Sequence, residues 1–152
     1  MARLASIDNI VGVKEASGDI GQMAAIFQHV PKTFSVLSGD DSVTLPLMAL
    51  GGVGVISVAS NEIPAEMSAL CDACLKGDFP TGRAIHRRYH ALMEINFVES
   101  NPGPVKAALS MMGLIQPYYR LPMAPPRPDS QARITAVLEE LVLAAPLAAS
   151  GD

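Results

Sequence analysis

Apolar positions along the first sixty residues alternate between two rhythms. Ile10-Val11-Gly12-Val13 is rich in β-branched residues and too short for a helix, so it predicts a buried strand ending at Lys14. Asp19 then offers a helix cap, and Ile20, Met23, Phe27 and Val30 share one face of a helix that Pro31 stops. A second strand is expected over residues 34–37, ending in the turn Ser38-Gly39-Asp40-Asp41. A short helix over 42–50 follows, with Gly51 as its C-terminal cap, and then a third strand over 53–58. Strands alternating with helices through short connections predict an α/β fold with parallel pairing and right-handed crossovers.

After residue 60 the pattern becomes wholly helical. Asn61 is placed to cap a helix with Ile63, Met67, Leu70 and Cys74 on one stripe, closed by Gly77. A second helix is expected over 81–97, and a third opens with Pro104 in its first turn and ends at Gly113. Residues 115–129 hold five prolines and read as an ordered loop. Asp129 or Ser130 caps a last helix with Ile134, Val137, Leu138, Leu141 and Val142 turned inward, and the tail after Pro146 frays. Neither a repeat nor a linker interrupts the chain. The expectation is one unit, with a sheet-bearing part over 8–76 and a helical extension over 79–145.

Composition narrows the function classes. At 152 residues, 49% hydrophobic and 17% charged, the chain is long enough for a sizeable core and too apolar for disorder. A net charge of -4 with scattered basic residues argues against a nucleic-acid partner. The densest basic group, Arg83, Arg87 and Arg88, falls on one helix and reads as a solvated face. No apolar run approaches the ~18 residues that span a bilayer, and the first ten residues lack a signal-peptide stretch. Two cysteines do not make a disulfide framework. A soluble cytoplasmic protein is expected.

In parallel α/β folds, chemistry gathers at the carboxyl ends of the strands. Lys14 stands at one such end. An amine shielded from water there loses part of its charge, and a neutral amine is what attack on a ketone requires. The plainer alternative is a lysine paired with Glu15 or Asp40 at the rim. Cys71 and Cys74 followed by His86 and His90 superficially suggest zinc, but both cysteines fall on a helix where a zinc finger needs a hairpin. Asp40 and Asp41, adjacent on a turn, point apart and read as caps of the following helix. Gly51-Gly52-Val53-Gly54 precedes a strand, so it reads as a tight turn rather than a phosphate loop.

The wording around Lys14 is more specific. Val11-Gly12-Val13-Lys14-Glu15-Ala16-Ser17-Gly18-Asp19 resembles the Schiff-base lysine motif of the dihydrodipicolinate synthase (4-hydroxy-tetrahydrodipicolinate synthase) family. Leu37-Ser38-Gly39-Asp40-Asp41, Gly51-Gly52-Val53-Gly54-Val55-Ile56-Ser57-Val58 and Asn101-Pro102-Gly103-Pro104-Val105-Lys106 are similar to further segments of that family, in the same order. Arg120-Leu121-Pro122-Met123 is similar to its late loop, so the resemblance spans residues 3–145. The lysine motif alone would equally suit N-acetylneuraminate lyase and its relatives.

The resemblance implies the last three units of a (β/α)8 barrel followed by helices. It makes Lys14 the catalytic nucleophile that condenses with pyruvate, and Gly39 and the Ile56 backbone substrate-binding positions. The second substrate is a small aldehyde, aspartate semialdehyde, on the route to lysine through diaminopimelate. The lysine is itself the electron sink, so no metal or organic cofactor is required. By the same resemblance, about half of the family's length precedes this stretch. That half carries the paired threonines for the pyruvate carboxylate, the proton-shuttling tyrosine and the arginine for the second substrate. Tyr89, Tyr118 and Tyr119 match no tyrosine motif of the family. Three strands cannot close an eight-stranded barrel and leave open edges. A weak enzyme is therefore expected, in a homo-oligomer or with a missing N-terminal half. Its competitor is a catalytically silent assembly or interaction module.

Overall fold

The computed structural model describes residues 1–143, so the expectation for the tail lies outside the described residues. The chain divides into two compact units, Met1–His90 and Ala91–Asp152. The division falls inside a helix, not at the change of pattern between residues 76 and 79.

The first unit is built on a parallel three-stranded sheet in the order β1-β2-β3: β1 (Gly12–Glu15), β2 (Ser35–Ser38) and β3 (Gly54–Val55). Val13 lies beside Val36, Lys14 beside Leu37 and Glu15 beside Ser38. Alternation along a strand then separates two faces. Val13 and Val36 face α1 (Ile20–His29) and α2 (Thr44–Ala49), joining Met23, Phe34 and Leu47 in the core. Met23 and Leu47 are wholly buried, each contributing about 1.5–3 kcal/mol. Lys14 and Leu37 point to the other face. Val11, expected inside, is 70% exposed, because β1 is an edge strand and begins at Gly12, two residues later than expected.

Local chemistry explains most boundaries. The Asp19 carboxylate accepts hydrogen bonds from the amides of Gly21 (2.7 Å) and Gln22 (3.2 Å), capping α1 as expected. Between α2 and β3 the chain turns through Gly51, at φ +114°, and Gly52, where a β-carbon would collide with the Leu47 side chain. That is the tight helix–strand turn expected. β3 pairs over only two residues instead of the expected six, although the Val53 and Ile56 amides extend the bonding to the carbonyls of Val36 (3.0 Å) and Ser38 (2.8 Å). Beyond Ile56 the chain turns into a 3-10 turn at Ala59–Asn61.

Asn61 does not cap the next helix. It lies in that turn and donates its side-chain amide to the Val58 carbonyl at 2.9 Å. Pro64 instead opens α3 (Pro64–Leu75), where its missing N–H costs nothing. The expected stripe of α3 holds: Ile63, Met67, Leu70 and Cys74 are all buried, and Gly77 at φ +76° ends the helix. α4 (Phe79–Ile95) begins two residues early, with the Asp78 carboxylate accepting the Thr81 amide at 3.1 Å. Arg83, Arg87 and Arg88 are exposed along it.

In the second unit, α5 (Gly103–Met111) packs on α6 (Pro128–Glu140), burying Val105, Ala107, Ala108, Ile134 and Leu138. Asp129 and Ser130 lie inside the first turn of α6 and do not cap it; Pro128 starts the helix, and Arg127 is the cap residue. Val142, expected inside, has left the helix and is 86% exposed. The proline-rich loop is tied down by the Glu99 carboxylate, which accepts the Arg127 amide at 2.9 Å, and by Gln131, which donates to the Pro126 carbonyl at 2.7 Å.

Candidate active site

Because the three strands are parallel, their carboxyl ends share one edge of the sheet. Lys14 is the next-to-last residue of β1, Gly39 follows the last residue of β2, and Ile56 follows the last residue of β3. The Gly39 amide donates to the Glu15 carbonyl at 2.6 Å, so Gly39 continues the ladder one step past the Glu15–Ser38 pair. The structure thus brings the three candidate residues to one end.

The tail of Lys14 lies across the α-carbon of Gly39. A β-carbon at position 39 would stand 2.8 Å from Lys14 Cε and 3.0 Å from its Cγ. It would also stand 2.7 Å from Ala16 Cβ. Glycine leaves the room the lysine occupies. A shallow groove of about 430 Å³ runs along this face, lined by Val11, Gly12, Lys14, Leu37 and Ile56 among others. Lys14 is exposed, and Ile56 is 48% exposed. The shielding expected for a strand-end amine is absent among the described residues, because the sheet is open here.

The rim ion pair is also absent. Lys14 forms no salt bridge among the described residues. The Glu15 side chain points to the opposite face, where its carboxylate accepts from the Ser17 amide (3.1 Å) and from Gln22 Nε2 (3.1 Å). Asp40 accepts from the amide and hydroxyl of Ser42, which orders the turn rather than the lysine.

Asp41 was expected to cap α2, but α2 has no side-chain cap. Its carboxylate, 1% exposed, instead reaches past β3 and accepts from the amides of Val58 (3.0 Å) and Ala59 (2.9 Å). No local pattern signals a bond that spans 17 and 18 residues.

The remaining candidates stay apart from this chemistry. Among the described residues no group of three or more His, Cys, Asp or Glu side chains is placed to hold a metal. Cys74 is buried and Cys71 partly so. Burial pushes both thiols up, with Cys74, Asp72 and Asp41 adding to the shift of Cys71, so both favour the protonated form that binds metal poorly. The rings of His86 and His90 lie side by side on α4, centroids 5.2 Å apart and tilted 41° to each other. Tyr89 lies beside Arg88, whose guanidinium is 5.5 Å from the ring centroid. In the second unit Tyr119 lies under the Lys106 ammonium, also at 5.5 Å. No helix among the described residues is long and apolar enough to cross a membrane.

The model of the dihydrodipicolinate synthetase family matches residues 1–141. The 4-hydroxy-tetrahydrodipicolinate synthase of Koribacter versatilis is 52% identical over 140 residues, 92% of this chain and 47% of that protein. The enzyme of that name from Pelodictyon phaeoclathratiforme is 48% identical over 90% of this chain and 46% of its own length. Among solved structures, dihydrodipicolinate synthase from Aquifex aeolicus superposes with a TM-score of 0.92 at 43% identity, covering 96% of this chain and 50% of that one. The chain therefore spans about half the length of the relatives it matches. A match over nearly all its residues, with Lys14, Gly39 and Ile56 gathered at one sheet edge, shows that the chain belongs to the dihydrodipicolinate synthetase family.

Proposed function

We propose that this chain carries the imine-forming part of a pyruvate-dependent lyase of the 4-hydroxy-tetrahydrodipicolinate synthase type. Lys14 Nζ adds to the ketone carbon of pyruvate, and loss of water leaves a protonated imine. A proton then leaves the pyruvate methyl group, and the resulting enamine attacks the aldehyde carbon of aspartate semialdehyde. The cationic imine nitrogen takes up the electron pair, so the lysine provides the electron sink. Gly39 gives the amine its path along the sheet, and the Ile56 backbone contacts the bound pyruvate.

The observation that carries this reading is the placement of Lys14 over Gly39, free of any ion pair among the described residues and opening on a groove that Ile56 also lines. A related structure supports it: the synthase of Acinetobacter baumannii, 37% identical with a TM-score of 0.90, crystallises in complex with pyruvate. Residues 8–76 correspond in this reading to the last three units of a (β/α)8 barrel, and 79–145 to a helical extension. A cytoplasmic location suits this chemistry. The exposed Val11 and Ile56 favour burial of the open face by association, with a second copy or a further barrel segment. Turnover by these 152 residues alone is low, because among the described residues Tyr89 lies on α4 and Tyr118 and Tyr119 in the proline-rich loop, none at a strand end where it could move protons.

Pyruvate followed by borohydride tests the proposal. Mass spectrometry should find the reduced adduct on Lys14 in preference to Lys32, Lys76 and Lys106, and Lys14→Arg should abolish it. Equal labelling of all four lysines would refute the assignment.

A further inference from the structure

We infer that Asp41 is a positioning residue, which sets pyruvate affinity by holding the Ile56 peptide without touching the substrate. The inference rests on the proposed role of Ile56, and three observations lead to it. First, β3 pairs over only Gly54–Val55, so the ladder alone holds its end weakly. Second, the segment just past it is fastened at both sides. The Ile56 amide donates to the Ser38 carbonyl at 2.8 Å, and two residues later the Asp41 carboxylate takes the amides of Val58 and Ala59. Only Ser57 separates Ile56 from the clamp, so the Ile56 carbonyl has little freedom to turn. Third, Asp41 is itself immobilised. It is 1% exposed, its own carbonyl accepts the Thr44 amide at 3.2 Å, and Ser38 Oγ and Thr44 Oγ1 both donate to the neighbouring Asp40 carbonyl.

The geometry identifies which property of Asp41 matters. One oxygen, Oδ2, accepts both amides, while Oδ1 has no hydrogen-bond partner among the described residues. An asparagine with its carbonyl oxygen in the place of Oδ2 keeps both bonds and puts an amide where Oδ1 now is. Asp41→Asn should therefore preserve the clamp, and Asp41→Ala should abolish it.

The test follows borohydride trapping at Lys14 over a range of pyruvate concentrations, together with hydrogen exchange at residues 56–60. Losing two hydrogen bonds should raise the half-saturating pyruvate concentration about tenfold in Asp41→Ala, with the maximal trapping rate changed by less than about twofold. Exchange of the Val58 and Ala59 amides should accelerate, and Asp41→Asn should restore both readouts. Asp41→Ser, with a hydroxyl too short to reach both amides, serves if the alanine variant does not fold. An unchanged half-saturation in Asp41→Ala, or an asparagine variant as impaired as alanine, overturns the inference. Failure of the unsubstituted chain to label Lys14 would instead sink the proposed function, while faster exchange at Val58 and Ala59 would still show the clamp.

Discussion

Replacing Gly39 by alanine puts a methyl group where the tail of Lys14 now runs. The new β-carbon would lie 2.8 Å from Lys14 Cε, 3.0 Å from Cγ and 2.7 Å from Ala16 Cβ, all well inside van der Waals contact. The lysine is exposed at its end and can swing away, whereas Ala16 Cβ is anchored to the main chain. Overpacking of this kind costs about 1–3 kcal/mol, and the fixed Ala16 Cβ at 2.7 Å puts the cost toward the upper end even though the groove side is open. Position 39 is not among the glycines with positive φ, so alanine also gains about 0.4–1 kcal/mol from a stiffer unfolded chain. Stability should therefore fall by about 1–2 kcal/mol, which leaves the chain folded in the assay. The amine, however, must move by roughly an ångström, and such a displacement of a reacting group costs about 10²-fold in rate. The assay is the time course of pyruvate trapping at Lys14, with Lys32 labelling as an internal reference and urea denaturation as the stability control. A Gly39→Ala chain that labels Lys14 at the original rate would refute the reasoning, since the lysine would then reach pyruvate by a path that avoids Gly39.

Two further outcomes are expected. The Ser130 hydroxyl, and after it the Arg127 amide, hold Glu99 below its ordinary carboxylate range. A lowered folded value means that its stabilisation is present above the unfolded pKa, near 4.3, and is lost as pH falls through the folded value. Glu99→Gln should thus be less stable than the parent at neutral pH by urea denaturation and should lose less on acidification below about pH 4; equal acid sensitivity would contradict this. The open sheet face should drive association, so light scattering at high protein concentration should find oligomers, and a monodisperse monomer would count against it.

The parallel sheet was legible because its signals are local: β-branched runs, Asp19 ahead of an apolar face, and Pro31 behind it. Lys14, Gly39 and Ile56 came from motif wording, and parallel pairing alone suffices to bring them to one edge. The structure departs from these local signals where non-local packing decides. Val11 looked buried because apolar runs record hydrophobicity and not whether a strand has a neighbour on its far side. The third strand is shorter than its residues suggest because Ile56, Ser57 and Val58 suit a strand, while the turn and the Asp41 clamp take the chain out of the sheet after the Ile56 amide has bonded to Ser38. Asn61, Asp129 and Ser130 looked like caps, yet Pro64 and Pro128 start those helices. Asp41 looks like a local cap from its neighbours, but its partners lie 17 and 18 residues away, a distance that no turn pattern encodes.

The two faces of β1 have opposite duties. Val13 and Glu15 look toward the helices, and Lys14, between them, looks into the groove. A strand has a period of two, so a single-residue deletion or insertion ahead of Lys14 that kept the strand paired would exchange these duties together. The amine would be driven into the apolar layer around Met23, and a core valine would be turned out to solvent. Point substitutions on the groove side can alter chemistry while leaving the fold in place, but a length change of one residue here removes both at once.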